Sequence, residues 1–360
     1  MNFNDNDFEQ GGGYGGTYYA TPRWNDFTID DEIKAKKRFS RFFLSTFIFL
    51  LISNLVAICA QIALTLFMGE RAAEIASSAW YVWGLNVFAM YVIAFPVLFL
   101  IVKGMRSTAR GKRSLSASEF FIAFAIGEAF MIIGALIGNY LNGIIGLFVG
   151  HEITDSTGEL IESSPIWLII LVAVIIGPIV EELIFRKLLM DKLGMYGDRI
   201  GIIVSASAFA LFHGNLYQLF YAFLLGIVLA YVYSKTSNIL YPIILHMLFN
   251  FFGSVLPMLL MDSTNRYMEL MELMIAGAEY DTAEYTRLTM ILGAYSLVQW
   301  TLVISGLVFL YKRRRQFFIS DRCEVLIPKE RRAGVILGNV GAILYIAISV
   351  ILIALGIMFV

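Results

Sequence analysis

The chain has 360 residues, of which 59% are hydrophobic and only 15% are charged, and its mean hydropathy is +0.74. These values exclude an ordinary water-soluble domain and predict an integral membrane protein. A net charge of −1 excludes a broadly basic surface, so nucleic acid is not an expected partner. The two cysteines, Cys59 and Cys323, are too few for a disulfide framework or a thiolate metal cluster.

The N-terminal residues differ in composition from the rest of the chain. Residues 1–31 contain the run GGGYGG and several Asn and Asp residues but no helical apolar period. We predict that residues 1–40 form a flexible cytoplasmic tail, either a solvated leader or a segment that binds a partner. The first apolar run, 42–68, is longer than a signal-peptide core and lacks a small-residue cleavage site, so we expect it to be retained.

Apolar runs of about twenty residues, the length that crosses ~30 Å of hydrocarbon, recur after residue 40. We predict an all-α fold, a polytopic transmembrane helix bundle of eight to nine spans with the functional site inside the bundle. The predicted spans are 42–68, 79–102, 118–149, 165–190, 199–213, 217–234, 239–261, 287–311 and 334–360. Of these, 199–213 is barely long enough to cross.

Charge in the loops between these spans is sorted by sign. The segments 34–41, 103–113 and 312–332 are rich in Lys and Arg, whereas 151–162 and 262–284 are acidic. Cytoplasmic loops retain positive charge, so we predict a cytoplasmic N-terminus and, if all nine spans cross, an external C-terminus.

Small residues at four-residue spacing predict places where helix backbones approach closely in the membrane. They are Gly134 and Gly138; Ala222, Gly226 and Ala230; and Gly334, Gly338 and Ala342. Such patterns are common in membrane helices, so they carry a structural meaning only.

The span 165–190 contains ionisable residues, in the sequence GPIVEELIFRKLL. A charge at the centre of a transmembrane helix costs about 2.5 to 3.5 kcal/mol, so such residues usually face the bundle interior and carry function. Glu182 and Arg186 are four residues apart and share a helix face, which predicts an ion pair. Glu181 points about 100° away from Glu182, so it is not part of this pair and is a candidate for a chemical role.

Two of the three histidines lie in later apolar spans. His213 ends the fifth span, and His246 shares a face of the seventh with Asn250, whereas His151 is in an acidic loop and is expected to be solvated. Each buried histidine alone is compatible with a core residue bonded to a carbonyl. Together with Glu181 they form a set of side chains that is suited to catalysis.

Such a set suits hydrolysis. A carboxylate and an imidazole can hold and deprotonate a water molecule, while a second imidazole and an amide can donate hydrogen bonds to an oxyanion. The same groups are also suitable ligands for a divalent metal ion, and the residues alone do not decide between the two. The HExxH pattern of soluble zinc proteases is absent, because the segment 151–155 lacks the second histidine.

Three motifs in this order, EExxxR at 181–186, FxxxH at 209–213 and HxxxN at 246–250, resemble the CPBP intramembrane proteases. These are the CAAX prenyl protease and bacteriocin-processing family, also called Abi. The resemblance implies an endopeptidase with an active site inside the membrane that opens toward the cytoplasm. It also implies that Glu181 and His213 activate the water and that His246 and Asn250 form the oxyanion hole.

By the same resemblance, Glu182 and Arg186 support the catalytic residues, and Phe209 packs beside them. The family is often labelled a metalloprotease, so a divalent metal such as zinc stays open as a cofactor. The ligands in that case would be Glu181, His213 and His246. The domain division that follows is a tail (1–40), N-terminal transmembrane helices (41–160), the CPBP-like core (161–262), and an external segment with C-terminal helices (263–360).

The depths expected of these residues conflict. If helix 165–190 runs inward, Glu181 lies about two-thirds of the way to the cytoplasm, and His246 lies ~10 Å deep at 1.5 Å per residue. The same arithmetic puts His213 ~20 Å deep, too far out to meet them. The fifth helix must therefore begin below the membrane surface or be strongly tilted.

Several alternatives stay open. Glu128 in the third span is either a proton-handling group or a neutral carboxyl against a neighbouring helix, and we leave it out of the site. The segment 262–286 is either an interfacial helix or a lid. Paired carboxylates and a break at Gly177 and Pro178 also suit a proton-coupled transporter. A catalytically silent scaffold of the same family is the third alternative.

The residues do not identify the substrate. Candidate substrates are a prenylated C-terminal peptide, a peptide pheromone, a bacteriocin leader or a membrane protein, with peptides and membrane proteins favoured. The lipid bilayer is the other expected partner, and the expected location is a bacterial plasma membrane.

Overall fold

A computed structural model describes residues 27–108, 111–314 and 323–359, and within these ranges the chain is helical and contains no strand. This confirms the all-α prediction. In chain order the helices are α1 (Ile29–Ala76), α2 (Ala79–Val102), α3 (Ala117–Val149), α4 (Ser156–Glu162), α5 (Ile166–Tyr196), α6 (Asp198–Phe212), α7 (Leu216–Thr236), α8 (Leu240–Leu259), α9 (Met261–Ile275), α10 (Thr282–Arg313), α11 (Lys329–Ile336) and α12 (Val340–Met358).

Eight helices in the described ranges are long and apolar enough to cross a membrane, namely α1, α2, α3, α5, α7, α8, α10 and α12. The ninth predicted span, 199–213, corresponds to α6, which has 15 residues. At 1.5 Å per residue this helix is about 22 Å long, shorter than the ~30 Å of a bilayer core.

Helix α1 begins inside the predicted tail. Thr28 caps it, because the Thr28 hydroxyl accepts a hydrogen bond from the Asp31 amide at 3.2 Å and the Asp31 carboxylate accepts one from the Thr28 amide at 3.1 Å. This reciprocal capping box satisfies two otherwise unpaired amides. Residues 29–40 are therefore helical, and the prediction of a flexible tail is wrong for them. Residues 1–26 of the predicted tail lie outside the described residues.

Small residues bring α3, α6 and α7 into close contact, as predicted for two of the three patterns. A Cβ atom at Gly138 of α3 would lie 2.8 Å from the Tyr217 carbonyl oxygen of α7, and one at Gly226 of α7 would lie 3.0 Å from the Cα of Ala206 of α6. The prediction is wrong for Gly334, where a Cβ would meet open space, because that residue lies in the short helix α11.

Helix α5 is irregular on both sides of the paired carboxylates. Its segment Gly177–Glu182 is α-helical, but Ile170–Ile176 and Leu183–Met190 are π-helical. Each wider turn rotates the side chains that follow it, and π-helical turns are frequent at functional sites. Around these turns α5 packs against α6 and α8. This packing brings the three motif-bearing helices together.

The segment between α8 and α10 contains helix α9. Its connection to α10 is made by the stacked rings of Tyr267 and Tyr285, 5.1 Å apart, and by an ion pair between Arg266 and Glu284 at 2.9 Å. The prediction of a helix in the segment 262–286 is confirmed, and its role as an interfacial helix or a lid stays a prediction.

Candidate active site

The predicted ion pair on α5 is present and completely buried. Arg186 Nε lies 3.1 Å from Glu182 Oε2, and both side chains are 0% exposed. The pair forms because residues four apart on a helix lie one turn above each other. The Arg186 guanidinium carbon also lies 4.7 Å from the centre of the Phe209 ring. This contact adds a cation–π interaction to the ion pair.

Glu182 has a second partner that the spacing on α5 did not predict. His246 Nδ1, from α8, lies 3.0 Å from Glu182 Oε1, and His246 is 3% exposed. A carboxylate paired with Arg186 is ionised and only accepts hydrogen bonds. His246 Nδ1 therefore carries the hydrogen, and the basic position of the neutral ring is Nε2.

Glu181 faces the opposite nitrogen of the same imidazole. Glu181 Oε2 lies 3.7 Å from His246 Nε2, and the Glu181 side chain is 15% exposed, in contrast to the fully buried Glu182. Two adjacent carboxylates thus approach one ring from its two nitrogens.

His213 caps the C-terminus of α6 and folds back along that helix. Its Nδ1 lies 2.8 Å from the Phe209 carbonyl oxygen. Because a carbonyl only accepts, Nδ1 donates, and Nε2 of the neutral ring presents a lone pair. The Phe209 ring lies 4.8 Å from the His213 ring and 5.5 Å from the His246 ring, and His213 is within electrostatic reach of Glu181.

The start of α6 is covered by other parts of the protein. The first residue of α6, Asp198, is 1% exposed. The chain just before α6 is covered, since the amides of Glu324 and Val325 donate to the Met195 carbonyl at 2.8 and 3.0 Å. Helix α6 therefore begins beneath the surface of the protein. That α6 begins below the membrane surface or is strongly tilted stays a prediction.

Asn250 lies one turn beyond His246 on α8. Its side-chain amide donates to the Ala173 carbonyl at 2.8 Å, in the first π-helical part of α5. An amide has two N–H hydrogens, and this bond uses one of them. The bond fixes the side chain and leaves one N–H available.

Tyr91 and Gly177 also border the site, although no motif indicated them. A Cβ at Gly177 would lie 3.4 Å from Tyr91 Oη and 3.8 Å from Glu181 Oε1. Tyr91 lies on α2, far from the motifs in sequence, and an aromatic residue in an apolar span carries no signal of function. Gly177 was noted only as part of a helix break.

A metal ion does not fit the site as arranged. In the part of the chain that the structure describes, no three His, Cys, Asp or Glu side chains are placed to hold one together. The rings themselves do not decide this, because the bonds of His213 Nδ1 to Phe209 and of His246 Nδ1 to Glu182 leave Nε2 of each ring as a potential ligand. The mechanism proposed below therefore uses no step through a metal.

A small cavity of about 160 Å³ adjoins His213. It is lined by the turn between α6 and α7, by residues of the segment 153–157, and by Asn142 and Gly356. This is the end of the bundle that the acidic loops predict to be external. The cytoplasmic opening implied by the family resemblance stays a prediction.

Two ionisable residues stay apart from the site, as expected. His151 is exposed, and its Nδ1 lies 3.1 Å from the neighbouring Glu152 carbonyl oxygen. Glu128 of α3 is 2% exposed and lies next to Ala129 and Ala125 in the buried face of that helix.

Comparisons with known proteins converge on the same segment. Residues 163–252 match a family described as type II CAAX prenyl endopeptidase, Rce1-like. The chain is 26% identical over 246 residues to a Bacillus subtilis (strain 168) protein named membrane peptidase YdiL, covering 66% of this chain and 96% of that protein. It is 26% identical over 180 residues to the membrane-embedded CAAX protease MroQ of Staphylococcus aureus (strain USA300), covering 47% of this chain and 72% of that protein. No solved structure matches.

Proposed function

We propose that this chain, which is similar to the Rce1-like CAAX prenyl endopeptidases over residues 163–252, is a membrane protease that hydrolyses a peptide bond with water activated by Glu181 and His213. The observation that carries the proposal is the meeting of polar side chains from α5, α6 and α8 around the Phe209 ring. An isolated buried histidine needs only one carbonyl partner, whereas here two carboxylates and two imidazoles are neighbours.

In the proposed reaction His213 Nε2 is the proton acceptor. Its Nδ1 donates to the Phe209 carbonyl, so the lone pair on Nε2 is held in one direction. Glu181 orients the water and stabilises the imidazolium that forms when His213 takes the proton. The resulting hydroxide adds to the carbonyl carbon of the peptide, and the proton passes from His213 to the leaving amine.

His246 and Asn250 are the proposed donors to the oxyanion. His246 Nε2, which faces Glu181 while Nδ1 is held by Glu182, is the proposed donor to the oxygen that gains negative charge. Asn250 contributes the N–H that its bond to Ala173 leaves available. Both donors are fixed by neighbouring groups before the substrate arrives, which is what makes such donors effective.

The substrate is a peptide or a membrane protein in the bilayer, since the catalytic groups lie within the bundle. MroQ is named a CAAX protease and YdiL a membrane peptidase, and neither name identifies a cleaved sequence for this chain. We propose a peptide or membrane-protein substrate in a bacterial plasma membrane, with the N-terminus of the chain in the cytoplasm.

Glu181→Gln tests the proposal. We expect the loss of about 10²- to 10⁴-fold in hydrolysis with an unchanged thermal unfolding midpoint, because the amide cannot act with His213 on the water. The matched control is Glu128→Gln, which makes the same change at a carboxyl outside the site. Membranes of cells with wild-type, Glu181→Gln or Glu128→Gln protein are compared by peptide mass spectrometry. Equal products from Glu181→Gln and wild type would contradict the assignment.

A further inference from the structure

A second and larger cavity lies outside the candidate active site. Its volume is about 660 Å³, and it is lined by residues of α3, α6, α7 and α10. Most of its wall is apolar and includes Ile126 of α3, Ile203 of α6, Val228 of α7 and Leu310 of α10. None of the proposed catalytic residues lines it.

One end of this cavity is basic. Its charged lining residues are Arg113, Glu119, Arg199, Lys235 and Arg313, four cations and one carboxylate with a net charge of +3. They converge because α3 and α6 begin at this end of the bundle and α7 and α10 end there. The loop before α3 is joined to the end of α7 as well, since the amide of Arg113 donates to the carbonyl of Thr236 at 2.9 Å.

Glu119 is the single carboxylate among the described residues that line the cavity, and it is already engaged. Glu119 lies 2.7 Å from Arg113 Nη2 and also accepts from the Ser116 amide at 2.9 Å, as part of the N-terminal cap of α3. It therefore offsets Arg113, and the described residues of the cavity lining include no other carboxylate to offset Lys235 or Arg313. Lys235 Nζ lies 5.5 Å from the centre of the Tyr231 ring, so its ammonium is held at the mouth of the cavity.

From this distribution of charge we infer that the cavity binds an anionic phospholipid. The acyl chain would lie along the apolar wall, and the phosphate and acidic headgroup would contact the basic rim. A zwitterionic lipid would gain the apolar contact without the net attraction, whereas each Lys or Arg near an anionic lipid adds favourable electrostatic energy. A free phosphate would use the rim and leave the apolar wall without a partner.

The bound lipid would tie the ends of two helices that carry the site. Arg199 is near the start of α6, which ends at His213, and Lys235 is near the end of α7. The expected consequence is greater thermal stability in anionic bilayers, because a ligand that binds the folded state raises its unfolding temperature. This inference does not depend on the proposed hydrolysis, and its test measures binding and stability only.

The test uses the full-length protein reconstituted in phosphatidylcholine bilayers with or without phosphatidylglycerol of the same acyl chains. Lys235→Gln/Arg313→Gln removes two rim cations, and the control Lys37→Gln/Lys329→Gln removes two exposed cations at the same end of the bundle. We expect phosphatidylglycerol to raise the unfolding midpoint of the wild type and the control. In the rim variant, the affinity for phosphatidylglycerol measured by native mass spectrometry should fall by about 30-fold, the effect of two such charges.

A third variant separates the lipid from a free anion. Ala123→Phe narrows the apolar part of the cavity and leaves every rim charge in place. We expect it to weaken phosphatidylglycerol binding while its unfolding midpoint in phosphatidylcholine alone stays near that of the wild type. The inference is overturned if inorganic phosphate stabilises the wild type as well as phosphatidylglycerol does. It is equally overturned if the rim variant and its control bind the lipid alike.

Discussion

Helices α5 and α3 each bury a carboxyl group in the bundle, and the two are held in opposite ways. Glu182 of α5 is 0% exposed, pairs with Arg186 and accepts a hydrogen bond from His246. Glu128 of α3 is 2% exposed, and its Oε1 has no hydrogen-bond partner among the described residues. The two carboxyl groups are therefore buried to the same extent, but only Glu182 has polar partners among the described residues.

The difference indicates different roles: Glu182 positions other residues of the candidate site, whereas Glu128 packs within the bundle. Burying a carboxylate without a partner costs free energy, whereas Arg186 and His246 provide Glu182 with an opposite charge and a hydrogen-bond donor. Glu182 in turn fixes the hydrogen of His246 on Nδ1 and directs Nε2 toward Glu181. The four predictions that follow test this contrast, starting from the largest expected effect.

Removing the cation should expose the cost of an unpaired buried charge. We expect Arg186→Ala to destabilise the fold by about 3 to 5 kcal/mol, because Glu182 keeps its charge and loses its partner. Thermal unfolding in detergent and the yield of folded protein measure this effect. Glu182→Gln combined with Arg186→Ala should recover part of the loss, since no charge is then left alone. If Arg186→Ala were as stable as the wild type, the ion pair with Arg186 would not be what stabilises the buried Glu182 carboxylate.

Removing the proposed oxyanion donors should affect turnover rather than binding. We expect His246→Ala and Asn250→Ala each to lower kcat by about 10²-fold or more with little change in KM. Steady-state kinetics on an identified peptide product provide the measurement. An effect confined to KM would assign these residues to substrate binding instead.

A methyl group beside Glu181 should reduce activity at low structural cost. In Gly177→Ala the new Cβ lies 3.2 Å from the Val172 carbonyl oxygen and 3.4 Å from Tyr91 Oη. We expect a decrease of about tenfold or more in kcat, because small displacements of reacting groups are costly. The control is Gly253→Ala on α8, whose Cβ would lie 3.2 Å from the flexible end of Met131. Similar kinetics for the two variants would show that the space between Tyr91 and Glu181 is not needed.

The smallest effect is expected at the unpaired carboxyl. Glu128→Gln replaces a carboxyl that makes no ion pair among the described residues with an amide of similar size, so we expect a change in stability within about 0.5 kcal/mol and unchanged hydrolysis. Thermal unfolding and product formation are measured together. A large loss of function would instead favour the proton-handling role that the sequence left open, and proton flux into proteoliposomes would then be the deciding measurement.

The sequence predicted local features well because they depend on helix geometry alone. The pairing of Glu182 with Arg186 follows from their spacing of four residues, and eight of the nine predicted spans are helices long enough to cross a membrane. The prediction of a flexible tail is wrong for residues 29–40, because α1 begins at Ile29 after a capping box at Thr28 and Asp31. Thr28 and Asp31 lie in a polar stretch without a helical apolar period, so the hydrophobic pattern does not indicate the start of this helix.

Relations between helices could not be predicted in the same way. Nothing in the spacing of the motifs indicates that Glu182 also binds His246, or that Tyr91 of α2 borders Glu181. The π-helical turns on either side of Gly177–Glu182 rotate the side chains of α5. The regular α-helical period used to interpret the sequence does not predict these rotations. The depth arithmetic put His213 too far out to meet the other residues, whereas both the His213 and His246 rings contact the Phe209 ring.

The sequence by itself determined the class of the protein, a bundle of apolar helices, and the residues available for chemistry, because hydrophobic length and helical spacing act over short stretches of chain. Only the tertiary structure decided which carboxylate meets which imidazole nitrogen, and which of two equally buried carboxyls has partners. The physical reason is that such contacts depend on the tilt, rotation and starting depth of neighbouring helices. Packing of the whole bundle sets these quantities, and no single helix contains them.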